Sequence, residues 1–281
     1  MNKMSFITIS FIFANVVGAV IFLICLAPNT IDFINFNINN LIKPIQAEES
    51  GNHAFFTSNF ESGSIQPHPR ENDGWYIQAN SGDIKIVDAP GGKKGKALKV
   101  SINKNEDFSP VVNGSPRAEL LRPREFYHGE NYIIKWKTFL PEGFQFDYPS
   151  NEEIITQIHQ DASSGSPPFA IGLAGDKYFM VSDTPIGKQK NFFGSAGPDC
   201  GKWVTWSLNY KPSFSDEGLI ELYKNGKPVA KFVGPSAYPG NDSGYLKIGI
   251  YKWFWKKPSY PSKVDSITIY YDEVSISQIF R

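Results

Sequence analysis

Three short segments hold the side chains best suited to chemistry. In Arg117-Ala-Glu-Leu120, Arg117 and Glu119 share one face of an extended strand. Such a pair also makes an ordinary structural ion pair. Gln157-Ile-His159 repeats the arrangement, with Ile158 turned to the other side. Tyr245-Leu-Lys-Ile-Gly-Ile-Tyr251 is the longest of the three. It sets Tyr245, Lys247, Gly249 and Tyr251 on one face and Leu246, Ile248 and Ile250 on a core-facing side. The chain continues into Lys252-Trp-Phe-Trp-Lys-Lys257, which adds Trp253 and further positive charge. Aromatic faces stack on sugar rings and ammonium groups offset carboxylates, although some of these aromatics serve as core filling. A groove for an acidic carbohydrate is the chemistry these residue types describe.

The elements that position them read as strands. Ala97–Ile102, Tyr132–Phe139, Trp203–Tyr210, Gly218–Tyr223 and Ile267–Tyr271 alternate with period two and are rich in β-branched and aromatic residues. Asn225-Gly226 between two such runs predicts a tight hairpin. Pro90-Gly-Gly92, Gly194–Pro198 and Pro239–Asp242 predict loops. A helix over Asn151–Gln160 has weak support, because Ile154, Ile155 and Ile158 suit either element. Many short strands in one domain predict an all-β jelly roll, a concanavalin-like antiparallel sandwich, over residues 53–281. No repeat of fixed period is evident.

Composition agrees. The 281 residues are 15% aromatic, and 28 Lys and Arg balance 28 Asp and Glu. A neutral chain lacks the basic excess expected of a nucleic-acid partner, whereas a local basic cleft would still serve an acidic ligand. Ser5–Leu26 is almost wholly apolar after Lys3, which predicts a signal sequence or membrane anchor over residues 1–27. Residues 28–52, rich in Asn and Ile, read as a spacer. The protein is therefore expected to be secreted or anchored outside the cytoplasm, and monomeric. Beyond the leader Cys200 is the sole cysteine, so no intrachain disulfide forms in the mature domain.

Arg-Ala-Glu-Leu, Gln-Ile-His and Tyr-Leu-Lys-Ile-Gly-Ile-Tyr, in that order, resemble the signature strands of jelly-roll polysaccharide lyases. The resemblance covers Phe55 to Ser277. With Phe60-Glu-Ser-Gly63 it is closest to the glucuronan lyase and heparin lyase I branch, and the motifs are shared with alginate lyases. It implies β-elimination on a uronic-acid polymer. The C5 proton is removed while the adjacent carboxylate is neutralised and the developing anion stabilised. Arg117 and Gln157 are suitable donors, and His159 a third. The resemblance implies Tyr251 and His159 as the residues that move protons, with the phenol of Tyr251 tuned by Arg117 or Lys247. Tyr245, Lys247, Glu119 and Trp253 are expected to bind substrate, Glu119 by orienting Arg117. Alginate lyases carry a second Arg directly after Arg-x-Glu-Leu. Here that position is Leu121, and Arg122 would face the other way, so glucuronate is favoured.

No cofactor is expected to be required. Glu61 and Asp272 would meet across the sheet to hold a structural Ca²⁺ through oxygen ligands, while the simpler reading is a turn carboxylate and a surface one. Two other functions remain open at this level. A jelly-roll glycoside hydrolase needs two carboxylic acids flanking the bond, and the adjacent Glu152 and Glu153 would point to opposite faces. A non-catalytic carbohydrate-binding module would keep the aromatics but would not need Gln157, His159 and Tyr251 together.

Overall fold

The computed structural model describes residues 54–65, 74–122, 126–160, 165–240, 243–257 and 259–280. The expected leader and spacer lie outside these residues, as do Asn241 and Asp242 of the last expected loop. The described chain forms strands β1 (Ala54–Ser58), β2 (Tyr76–Gln78), β3 (Ile84–Asp88), β4 (Lys96–Asn103), β5 (Arg117–Leu121), β6 (Phe126–Tyr127), β7 (Asn131–Phe139) and β8 (Glu153–His159). It continues through β9 (Phe169–Ala174), β10 (Lys177–Thr184), β11 (Gly187–Ser195), β12 (Trp203–Lys211), β13 (Leu219–Lys224), β14 (Lys227–Val233), β15 (Ser243–Tyr251) and β16 (Ser266–Ile279).

They form two antiparallel sheets of eight strands each. The first runs β14-β13-β12-β7-β16-β4-β3, with β1 also on β16. The second runs β11-β10-β9-β8-β15-β5-β2, with β6 also on β15. The expected sandwich is therefore present, and Asn151–Gln160 contributes a strand rather than a helix.

Alternation drives the packing. Val204, Trp206, Leu208 and Tyr210 of β12 are buried, while the residues between them lie nearer solvent. Trp206 stacks on Trp136 of β7 at 6.3 Å and donates Nε1–H to Thr138 Oγ1 at 2.8 Å. From the other sheet Leu246, Ile248 and Ile250 of β15 enter the same core, fully buried. Each contributes roughly 2 kcal/mol of apolar burial. The Asn225-Gly226 turn forms as expected, with both residues at positive φ and Asn225 Oδ1 accepting from the Thr205 backbone N–H at 2.9 Å.

The ladder between β8 and β15 is broken once. Tyr245 faces His159 and Lys247 faces Gln157, but the register shifts between Ile248 and Tyr251, so that Tyr251 faces Ile154. Gly249 sits in this break at φ +135°, and a Cβ there would come within 2.2 Å of Ala118 O. The hydroxyl of Tyr271, reaching across from β16, lies 2.7 Å from Ile155 O and 2.9 Å from Gly249 O. The break is thus tied to the opposite sheet through the core.

Candidate active site

β5, β8 and β15 are neighbours in one sheet, and their polar faces meet in a cleft of about 460 Å³. Arg117, Gln157, His159, Lys247 and Tyr251 all line it, as do Tyr245 and Trp253. The register explains the convergence: β15 lies between the other two strands and sets Lys247 opposite Gln157, Tyr245 opposite His159 and Tyr251 opposite Arg117.

Glu119 is the hub beneath this floor. It is 2% exposed and accepts hydrogen bonds from Gln157 Nε2 at 2.5 Å, Lys247 Nζ at 2.5 Å and Arg117 Nη1 at 3.2 Å. Charge-assisted bonds of this kind are short and strong. Glu119 lies behind the residues that line the cleft and contacts Arg117, Gln157 and Lys247 from beneath. Its acceptor oxygens are consumed in orienting three cleft residues. The Gln157 amide has a second N–H beyond the one given to Glu119, and Arg117 Nε has no partner among the described residues.

The electrostatics follow from burial. Lys247 is 3% exposed, and desolvation pulls its ammonium below the usual lysine range even beside Glu119. Burial likewise lowers the His159 imidazole. His159 Nδ1 lies 2.6 Å from Gln160 O, and a carbonyl only accepts, so the neutral ring carries its proton on Nδ1 and presents Nε2 as an acceptor. The ring stacks on Tyr245 with centroids 5.7 Å apart. The Arg117 guanidinium sits over the Tyr251 ring at 4.1 Å. Trp253 lines the cleft with Lys257 Nζ 4.2 Å from its ring centroid. Arg122 points away from the cleft, as its position predicts. It is 2% exposed, donates to Gly74 O at 2.7 Å and lies over Phe56 in the core.

The cleft also has walls that the sequence motifs did not single out. Gln78 on the short β2 lies 3.5 Å from Arg117 Nη1. Glu152, Asp183, Lys188 and Phe179 line the side towards β10 and β11. There Lys190 pairs with Glu152 at 2.5 Å and Lys188 with Asp183 at 3.8 Å. Three-residue β2 is too short to show a pattern. The Gly175 and Gly187 turns were the available signal for the β9–β11 wall.

Glu61 and Asp272 are engaged elsewhere. Glu61 is an exposed turn carboxylate that accepts from the Lys96 backbone N–H at 3.1 Å. Asp272 is wholly buried rather than on the surface, and burial raises its pKa even though Lys93 pairs with it. Lys93 also reaches Glu273 at 2.8 Å, and Lys137 reaches Glu273 at 2.5 Å. Two ammonium groups already balance these carboxylates, so the residues as arranged do not fit a Ca²⁺ ion. No cluster of three or more His, Cys, Asp or Glu suited to a metal occurs among the described residues. Cys200 is free and ends a 3-10 turn, as expected of a small residue near a turn.

No curated protein matches the chain. Among solved structures, the endo-β-1,4-glucuronan lyase of the fungus Trichoderma reesei is 18% identical with a TM-score of 0.65, covering 80% of this chain and 95% of that one. The binding domain of Paraclostridial mosquitocidal protein 1 is 13% identical with a TM-score of 0.51, over 81% of this chain and 49% of that one. A marine alginate lyase from Zobellia galactanivorans is 14% identical with a TM-score of 0.48, over 73% of this chain and 94% of that one. At these identities the likeness of the first two is one of fold. The family model for polysaccharide lyases matches residues 57–275, most of the chain and all three cleft strands, and the protein belongs to the polysaccharide lyase family.

Proposed function

We propose that this lyase acts on a glucuronate-rich polymer and eliminates across C4 and C5 with Tyr251 as the principal proton-transfer residue. The observation that carries the reading is the charge balance of the cleft. On the floor two cations, Arg117 and Lys247, stand against one carboxylate, Glu119. With His159 neutral, the surplus is one positive charge, which matches one uronate carboxylate. On the wall, Lys188 and Lys190 each have an acidic partner. That arrangement suits an unsulfated chain better than heparin. The inward-facing Arg122 gives no second guanidinium of the kind alginate lyases carry.

In this reading Arg117 and the free N–H of Gln157 hold the carboxylate and stabilise the enolate-like anion as it develops. Both are pre-set by Glu119, so little reorganisation accompanies the reaction. Tyr251 takes the C5 proton and returns a proton to the C4 oxygen, which in glucuronate lies on the same side. One residue then serves both steps. Lys247 supplies positive potential, and His159 assists through Nε2. On an epimerised uronate the two groups lie on opposite faces, and His159 would become the base.

The test is to incubate the protein with glucuronan, alginate, heparin and a neutral glucan while recording ultraviolet absorbance of the unsaturated uronate product. Glucuronan should give the fastest rise. A faster rise on alginate or heparin, or chain cleavage of the neutral glucan without absorbance, overturns the assignment. We also propose that the apolar run Ser5–Leu26 exports the enzyme to its polymer. A reporter fused behind residue 52 should leave the cytoplasm, and retention there refutes export.

A further inference from the structure

Behind the cleft lies a group of ionisable side chains that the elimination does not use. Lys252 follows Tyr251 directly, and its side chain is wholly buried. Its ammonium lies 2.7 Å from Glu153 Oε2 and 3.1 Å from Asp147 Oδ2, and it also donates to Asn151 O. Asp147 accepts in turn from Ser262 Oγ at 2.6 Å and from the Lys263 backbone N–H at 3.0 Å. Trp255 Nε1 donates to Ser262 Oγ at 3.0 Å.

This network joins five segments around one end of the cleft. They are the end of β15 with Tyr251, the loop before β8 with Asp147 and Asn151, the start of β8 with Glu153, the 3-10 turn Trp253–Lys256, and the loop before β16 with Ser262. The backbone N–H of Lys252 donates to Pro116 O at 2.9 Å, beside Arg117. The residue after Tyr251 is therefore held at both its backbone and its side-chain tip. Stability alone is a poor account of the cluster. Each buried ion costs several kcal/mol of desolvation, and apolar side chains of similar volume often hold segments together equally well. What buried, hydrogen-bonded charge adds is a fixed direction.

We propose that Lys252, Glu153 and Asp147 form a positioning cluster that fixes Tyr251 relative to the substrate, so that its loss is felt in proton transfer rather than in binding. The inference rests on Tyr251 as the proton-transfer residue. The charged groups facing Glu153 are Lys252 and Asp147 within the cluster and Glu152 beside it, itself paired with Lys190. Burial pushes Glu153 up to about 7. Asp147 is also raised by burial, but the Ser262, Lys263 and Lys252 contacts bring it below its ordinary value. Lys252 therefore keeps one firm counter-charge when Glu153 is replaced by its amide.

Glu153→Gln keeps the shape and the acceptor oxygen. Its kcat should fall by about ten- to a hundredfold, the cost of a small misplacement of a reacting group, with KM unchanged. The decisive reading is the pair Glu153→Gln and Tyr251→Phe. If the cluster acts through Tyr251, the double variant is no slower than Tyr251→Phe alone. Multiplying losses, a raised KM with normal kcat, or an unchanged kcat in Glu153→Gln each overturns the inference. Should Glu153→Gln fail to fold, Asp147→Asn gives the same readings. If Tyr251→Phe is itself fully active, the assignment of Tyr251 falls and the inference with it. If Tyr251→Phe is inactive and Glu153→Gln is normal, the inference alone falls.

Discussion

Replacing Tyr251 with Phe removes one oxygen from the cleft and leaves the ring beneath Arg117. Positioned acid–base groups contribute about a hundred- to ten-thousand-fold, so kcat should fall by about that amount with the melting temperature unchanged. Gln157→Ala and Arg117→Ala should also slow turnover heavily, because the negative charge on the uronate carboxylate is then left uncompensated in the transition state. His159→Ala separates the two stereochemical cases. On glucuronan it should retain measurable turnover. Abolished turnover in His159→Ala with near-normal Tyr251→Phe would assign the base to His159 and the substrate to an epimerised uronate. At this scale the sequence was legible wherever polar residues alternate on a strand, since period two puts Gln157 with His159 and Lys247 with Tyr251 on one side of their own strands, and the register then brings these sides together with Arg117. Alternation gives a direction but no depth. Glu119 alternates with Arg117 as a cleft residue would, yet it lies under the floor, and Asp272 proved buried for the same reason.

At the level of elements, the site depends on the break between β8 and β15. Gly249 is the residue whose backbone permits it, and Gly249→Ala would drive a methyl group into Ala118 O. That variant should lose thermal stability and activity together, because relieving the contact moves β15 off β5. Tyr271→Phe is the milder probe. It removes the hydroxyl shared by the Ile155 and Gly249 carbonyls, and leaving a buried acceptor unsatisfied costs about 1–3 kcal/mol. Chemical denaturation should report a loss of that order, and a neutral result would mean that the carbonyls find other partners. The long alternating strands were legible from side-chain period, and the Asn225-Gly226 hairpin from turn chemistry. The break was not. Ile154-Ile155 is two apolar residues in succession, which left helix and strand unresolved, and the register of a ladder belongs to two strands at once.

For the whole molecule, the neutral balance of the chain conceals a separation of charge. The cleft floor carries a surplus cation, while the network behind it holds an acid that resists ionisation. Glu153 has its pKa raised in the fold from 4.5 to about 7. The folded state therefore binds its proton more tightly than the unfolded state does. The associated stability is fully present below 4.5 and is lost as pH rises through about 7. Melting temperatures of the wild type and Glu153→Gln should accordingly diverge across that window, the wild type losing stability relative to the variant. Parallel curves would place the titration elsewhere.

The register break also decides which charge the phenol sees. Counting four residues on from the Lys247–Gln157 pair, an unbroken ladder would bring Glu153 opposite Tyr251. Even spacing would place both in the cleft, setting a carboxylate against the phenol proposed to transfer the protons. The shift hands that place to uncharged Ile154 and sends Glu153 to Lys252 instead. A slip of one residue would thus cost the enzyme its chemistry without costing it a strand. Circular dichroism would count such molecules as folded, and the unsaturated-product assay would count them as dead. The gap between the two measures the fraction of chains that paired in the wrong frame.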